Sequence, residues 1–215
     1  NTEDESALSI AGTSSGADGR TVTVNVGGSN YTATIATGGA WSVSLTSAQV
    51  KALSEGTVNI TANVSDAAGN AATQATASFS YDRTPPTLAI TSDKSALKIG
   101  DTATITFSFS EDPGSSFSWN GTSGDVTVSG GTLSAISGSG LTRTATFTPT
   151  ASTNGGTASI TVAAGSYTDA AGNTGGAGNT PSLTFDTLAP TLSITTPIST
   201  DGFVNNTEDE SALSI

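Results

Sequence analysis

The sequence predicts an all-β fold: antiparallel β-sandwiches in tandem, forming an extended array. Three observations carry that reading. Apolar residues alternate with polar ones over short stretches, Gly, Asn and Asp punctuate those stretches, and the chain repeats itself on two scales. Residues 206–215, NTEDESALSI, repeat residues 1–10 letter for letter, an offset of 205. Such an identity marks the chain as a cut from a tandem array, and a period of that length holds more than one small β module. Inside the period, VSDAAGN at 64–70 recurs as YTDAAGN at 167–173, and SYDRTPPTLAIT at 80–91 recurs as TFDTLAPTLSIT at 184–195. The expected division is therefore a module over residues 1–82 that lacks its first strand, a second over 83–187, and an N-terminal piece of the next repeat over 188–215.

The strands follow from parity. In the first module Val22, Val24 and Val26 share one face, then Trp41, Val43 and Leu45, then Val58, Ile60, Ala62 and Val64, then Ala77 and Phe79. In the second the inward sets are Ala103, Ile105, Phe107 and Phe109; Val126 and Val128; Ala145 and Phe147; Ile160 and Val162; Leu183 and Phe185. Period-two runs bounded by turn residues read as half-buried strands. Gly-Gly pairs at 27–28, 38–39, 130–131 and 155–156 are expected to close hairpins. Only residues 47–53 read as helix, for one or two turns. About seven short strands per hundred residues is the signature of a sandwich. Trp41 and Trp119, one per module, are expected in the cores or at their edges. The Asp-x-x-x-Pro segments Asp82–Pro86 and Asp186–Pro190 are the joints, short and stiff because proline fixes its own φ and extends the residue before it.

Composition narrows function. The chain has no Cys, Met or His. That removes disulfides, thiol chemistry, the usual zinc, copper and haem ligands, and nucleophile systems built on His. A net charge of −12 sets the chain against phosphate backbones, so nucleic acid is not an expected partner. No apolar run reaches the length of a membrane span, so no membrane insertion is expected.

The acidic residues gather at turns and joints. With immunoglobulin-type strand letters on the second module, strand A is 87–91, B is 102–110, F is 157–164 and G is 181–186. In such a sandwich the B–C and F–G loops lie at the end where strand A enters. The B–C loop opens with Glu111 and Asp112, the F–G loop is Asp169-Ala170-Ala171-Gly172-Asn173, and the incoming joint holds Asp82 and Thr84. Converging carboxylates repel one another unless a cation lies between them, and calcium takes six to eight oxygen ligands in flexible geometry. A calcium ion is therefore expected at the first joint, held by Asp82, Glu111, Asp169 and Asn173, with Thr84 and Asp112 as further candidates. Glu3, Asp4 and Glu5 are placed to contribute from the preceding side. The joint at Asp186 is expected to behave likewise, with Asp18, Asp66 and Asn70 of the following copy.

The pairing of Asp-x-x-x-Pro joints with DAAGN loops resembles the bacterial immunoglobulin-like repeats of giant Gram-negative adhesins, the RTX-type and biofilm-associated proteins exported by type I secretion. The second module, from LAITSDKSALKIGDTATITFSFSE through ITVAAGSYTDAAGN to FDTLAP, is especially similar. The resemblance implies an extracellular stalk at the bacterial cell surface, stiffened by calcium between neighbouring repeats, that presents a distal tip for attachment and biofilm formation. It supports Asp82, Glu111, Asp169, Asn173 and Asp186 as ligands. In such repeats a single acid often follows the serine, so the roles of Glu111 and Asp112 can exchange. Two other functions compete with a stalk. One is a module that binds a glycan or host-surface ligand itself, through Trp119 and Asn120. The other is a glycosidase, which adjacent Glu111 and Asp112 do not suit, because its two carboxyls face each other across a cleft.

The repeat also predicts a pairing between copies. The equivalent of strand A for the first module is found at 191–198, after the second module. An absent edge strand leaves backbone groups unpaired, so residues 191–198 of one molecule are expected to complete the first module of another by strand addition. Insertion would displace residues 206–215, whose register residues 1–10 already occupy.

Overall fold

The computed structural model describes residues 7–178 and 181–194. Two separate hydrophobic cores divide them, one drawn from residues between Leu8 and Tyr81 and the other from residues between Leu88 and Phe185.

The first module contains β1 (Leu8–Thr13), β2 (Thr21–Val26), β3 (Ser29–Thr34), β4 (Ala40–Leu45), a short helix α1 (Ser47–Lys51), β5 (Gly56–Asn63) and β6 (Ala75–Tyr81). Its larger sheet has the order β3-β2-β5-β6, and β1 pairs with β4 in a second sheet. Val22, Val24 and Val26 from one sheet and Val43 and Leu45 from the other are all buried in one core, as their parity requires. The helix starts on a capping box: Gln49 N donates to Thr46 Oγ1 and Thr46 N donates to the Gln49 side chain.

The second module contains β7 (Leu88–Ser92), β8 (Ala96–Lys98), β9 (Ala103–Phe109), a 3-10 turn at Gly114–Ser116, β10 (Val126–Ser129), β11 (Gly131–Leu133), β12 (Ser137–Ser139), β13 (Thr142–Pro149), β14 (Gly156–Val162) and β15 (Leu183–Asp186). One sheet runs β11-β13-β9-β7 with β12 on β13, and the other runs β10-β14-β15-β8. Their core holds Ile105, Phe107, Phe117, Phe147 and Ile160, each almost fully buried. Burying a side chain of this kind stabilises by about 1.5–3 kcal/mol relative to leaving it in water.

Two local expectations are corrected. Only the Gly27-Gly28 pair closes a hairpin, between β2 and β3, with both residues at positive φ. The pairs at 38–39, 130–131 and 155–156 carry the chain from one sheet to the other instead. A glycine pair supplies the left-handed backbone that both kinds of reversal need, so the dipeptide alone does not separate them. The strands are also not all antiparallel: β8 runs parallel to β15, with Thr184 opposite Ala96. The chain leaves β7 in one sheet, turns at Asp93–Ser95, and continues on the edge of the other.

Both tryptophans are half-buried and pack against the cores. Trp41 lies over its cross-strand neighbour Gly12, where a Cβ would collide with the indole. Trp119 donates its indole N–H to Leu133 O.

Candidate metal centre

The DAAGN segments fold by the same rules in both modules. In the second, Asp169 accepts from Asn173 N (2.8 Å) and from Asn173 Nδ2 (2.9 Å), while Gly172 N donates to Asp169 O. In the first, Asp66 accepts from Asn70 N (2.8 Å), Asn70 Nδ2 (2.9 Å) and Ala68 N (2.9 Å). Gly69 and Gly172 take φ of 90° and 86°, a conformation in which any side chain is strained. This Asx-type loop presents a carboxylate on a rigid tip.

At the first joint that tip meets two other segments. Carboxylate oxygens of Asp82, Glu111 and Asp169 all lie within 4.8 Å of one another. Asp82 comes from the joint, Glu111 from the residues after β9, and Asp169 from the loop after β14. Asp169 is buried and the other two are half-buried. At a protein-surface dielectric, each pair of charges at such separations repels by about 3–4 kcal/mol, against about 1 in water.

The acidity of Glu111 reflects this. Its pKa is raised, first by desolvation and then by the charges of Asp82, Asp169 and Glu55. A carboxyl whose folded pKa lies above its unfolded value contributes stability below the unfolded value and loses it as pH rises through the folded one. In chelator, the Glu111 contribution to the stability of the second module is expected to be present below the ordinary glutamate value of 4.5 and to fade as pH climbs through the raised value. A pH series of urea denaturations on wild type and Glu111→Gln checks this, because the difference between the two curves should grow with pH.

Asn173 supplies a further oxygen. The residue is 2% exposed. Its Nδ2 donates to Asp169 Oδ2 and to Asp82 O, which leaves Oδ1 buried without a hydrogen-bond partner. A buried acceptor without a donor is costly, and an amide oxygen on the residue whose Nδ2 binds Asp169 is, with carboxylates, a ligand type that calcium takes.

The joint is fastened from both sides. Toward the first module, Arg83 N and Thr84 Oγ1 donate to Glu55, and Arg83 Nη1 donates to Lys51 O. Toward the second, Gly176 N and the buried Tyr167 hydroxyl donate to Pro86 O, and Thr87 N donates to Ser110 Oγ. Tyr167→Phe is expected to cost about 0.5–1.5 kcal/mol in urea denaturation of the second core, the usual worth of one such bond.

The remaining candidates are placed elsewhere. Asp112 turns away from the cluster to Arg143 Nη2 at 3.3 Å. Arg143 also donates to Phe117 O and Gly114 O and lies over the Phe109 and Phe117 rings, so it pins the B–C loop to the sheet. The Thr84 hydroxyl is engaged by Glu55, and Thr84 N donates to Asp82 Oδ1. Asp186 accepts from Leu188 N in the same turn that Asp82 makes with Thr84. Asp66 is half-buried, Asn70 is exposed, and Asp18 accepts from Gly38 N, all in the first module and outside the cluster. Glu3, Asp4 and Glu5 lie outside the described residues. Sequence reasoning missed Glu55, Tyr167 and Arg143. A lone Arg on a strand carries no motif, and Glu55 is drawn in only by the course of the joint.

Residues 82–187 match a family model described as a bacterial Ig-like domain, and residues 2–83 match a second model of the same description. The chain belongs to the bacterial Ig-like domain family. The two matched bacterial Ig-like domains meet at the joint that bears the acidic cluster. No curated protein matches the chain in sequence. Among solved structures, the chain is similar to a 1.5-MDa bacterial ice-binding adhesin at 21% identity and TM-score 0.46, over 86% of this chain and 60% of that one. It is also similar to a Ca2+-stabilized ice-binding adhesin of an Antarctic bacterium at 23% identity and TM-score 0.38, over 96% of this chain and 51% of that one. A third similar structure is the D00-D0 domain of intimin, at 16% identity and TM-score 0.31, over 84% and 92% of the two chains. The chain thus spans 60% and 51% of the length of the two adhesin structures. Among the described residues, no helix of these bacterial Ig-like domains is long and apolar enough to cross a membrane.

Proposed function

We propose that this chain is part of the stalk of a large adhesin on the bacterial cell surface, in which calcium at each joint stiffens one Ig-like module against the next. The observation that carries this reading is the joint itself. Three carboxylates from three segments converge there, and the loop that carries Asp169 also holds the buried, unpartnered amide oxygen of Asn173, where one module passes into the other. A cation in that position cancels the mutual repulsion and ties the linker to two loops of the second module. The long-period identity and the membership in a domain family support a role in building length, since tandem modules contact chiefly their neighbours.

The reading is structural, not catalytic, because the carboxylates share one pole of a sandwich and do not oppose each other across a cleft. The division runs 1–82, 83–187 and the start of a further repeat at 188–215, with the protein outside the cell, where calcium is abundant. The absence of cysteine suits export of an unfolded chain through a secretion channel. Presentation of a distal tip for attachment and biofilm formation follows from length. Direct glycan binding is not favoured by Trp119 and Asn120: the indole packs against the core, and Asn120 Oδ1 accepts from Thr122 N and Ser123 N in its own turn.

Small-angle scattering tests the stalk reading. In calcium the chain should scatter as an extended rod with a sharply defined maximum dimension, and chelator should broaden the distribution as the joint bends. Scattering that is the same in both conditions would remove calcium stiffening from the account.

A further inference from the structure

We propose that Glu55 is the residue through which an ion at the joint takes hold of the first module: it fixes Thr84, Thr84 fixes Asp82, and filling the site therefore locks both modules rather than the second alone. This rests on the calcium reading above and adds the first module to it.

The three clustered carboxylates do not by themselves reach the sandwich of the first module. Glu111 and Asp169 stand on loops of the second module, and Asp82 is the residue after β6, at the start of the joint. An ion among them ties the joint forward. The adjacent strand ties Asp82 back. β5 and β6 are antiparallel, and their pairing ends with Gly56 opposite Tyr81. One step beyond that pair stand Glu55, leading into β5, and Asp82, leaving β6. Strand pairing thus sets two acidic residues side by side at the end of one sheet, an arrangement that costs stability when nothing lies between them.

Thr84 lies between them. Its backbone N–H donates to Asp82 Oδ1 at 3.0 Å, and its hydroxyl lies 2.9 Å from both carboxylate oxygens of Glu55. Arg83 N donates to the same carboxylate at 3.1 Å. The Arg83 guanidinium goes instead to Lys51 O at the end of α1, and no Arg83–Glu55 ion pair forms among the described residues. The Glu111 pKa is raised by desolvation, then by Asp82 and Asp169, and last by Glu55, so Glu55 lies within electrostatic reach of the cluster. Glu55 nevertheless stands outside the group of carboxylates that come within 4.8 Å of one another, and both of its oxygens face Thr84. It is a positioning residue for Asp82, not a member of the cluster. Removing an outer partner that orients a metal ligand typically lowers metal affinity by about 10–100-fold.

The exit of the second module supplies the comparison. There Gly156 stands opposite Phe185, so the counterpart of Glu55 is Gly155 and that of Asp82 is Asp186. Asp186 makes the same turn, accepting from Leu188 N as Asp82 accepts from Thr84 N. Leu188 has no hydroxyl and Gly155 has no carboxylate. The Glu55–Thr84 hold is therefore particular to the first joint, not a general consequence of how these strands end. Beyond the second exit, residues 195–198 of the expected added strand lie outside the described residues.

The test pairs calcium titration with pulsed dipolar EPR on the full 215-residue chain. The chain has no Cys, so nitroxides can be placed at Thr32→Cys and Thr146→Cys, exposed positions on β3 and β13. In the labelled wild type, saturating calcium should narrow the distance distribution between the two modules. Glu55→Ala and Thr84→Val, at exposed positions outside both cores, should still bind calcium, with affinity lower by about tenfold, and should keep a broad distribution at saturation. The double variant should be no worse than either single one, because both remove the same contact. Thr84→Ser keeps the hydroxyl donor and Glu55→Gln keeps an oxygen acceptor, so each should restore the narrow distribution. A Glu55→Ala chain that narrows like wild type would overturn the proposal and leave calcium at the joint standing. So would a Glu55→Gln chain as broad as Glu55→Ala, since the side chain would then act by its charge. A wild type that binds no calcium would overturn both the proposal and the reading beneath it.

Discussion

Adding 10 mM calcium to the metal-free chain is expected to raise the melting temperature of the second module by roughly 6–20 °C. Extracellular oxygen-ligand sites bind calcium with dissociation constants of about 10⁻⁴–10⁻³ M. At ten to a hundred times such a value, an ion that binds only the folded state adds about 1.4–2.7 kcal/mol. For a domain of about 100 residues each kcal/mol is worth about 4–8 °C. The signature that distinguishes the joint from generic salt screening lies in the variants. Asp169→Asn removes a ligand at the centre of the cluster and should abolish the shift. Glu111→Gln should abolish it too, while making the metal-free module more stable than wild type, because the neutral amide avoids the desolvation and the repulsion that raise the Glu111 pKa. Asp101→Asn, whose carboxylate accepts from Lys98 N outside the cluster, should leave the shift intact. Differential scanning calorimetry with and without chelator measures all four.

The second large effect lies beneath the site. Phe117→Ala should destabilise the second module by about 3–5 kcal/mol, the usual cost of a fully buried phenylalanine. Phe117 is 2% exposed, and its ring meets Phe109 at 4.9 Å, Phe107 at 5.6 Å and Tyr167 at 5.9 Å between centroids. The tilted and edge-on arrangements add to the loss beyond buried area. Phe117 follows the loop that begins at Glu111, and Tyr167 precedes Asp169, so this one aromatic cluster holds two of the three ligand-bearing segments at a fixed separation. Calcium affinity should therefore fall along with stability. The two cores share no residue, so in a denaturation that resolves both transitions only that of the second module should move. A first-module transition that shifts equally would mean that the modules unfold as one unit.

Much of this was legible from residue order, for identifiable reasons. Alternation placed Val22, Val24 and Val26, and likewise Ile105, Phe107 and Phe109, on inward faces, because a strand has period two and each of these strands has one face on a core. Immunoglobulin-type strand order puts the incoming joint and the B–C and F–G loops at one pole, and with them Asp82, Glu111 and Asp169. Other features carry no local signal. A Gly-Gly pair permits a left-handed turn but does not say whether the chain returns within its sheet or crosses to the other, which the core decides. Ala77 and Phe79 have strand parity yet escape full burial, because β6 is an edge among the described residues. Glu111 and Asp112 are adjacent acids with opposite facings. Which one joins the cluster depends on Arg143, thirty-odd residues away on β13, drawing Asp112 toward itself.

The most direct test of the account is diffraction from crystals grown in calcium, with data collected where calcium scatters anomalously. The account predicts a peak among Asp82, Glu111 and Asp169, with their oxygens and Asn173 Oδ1 at about 2.3–2.6 Å, the calcium–oxygen distance. Anomalous density that is absent there, with the three carboxylates splayed into solvent, would contradict it.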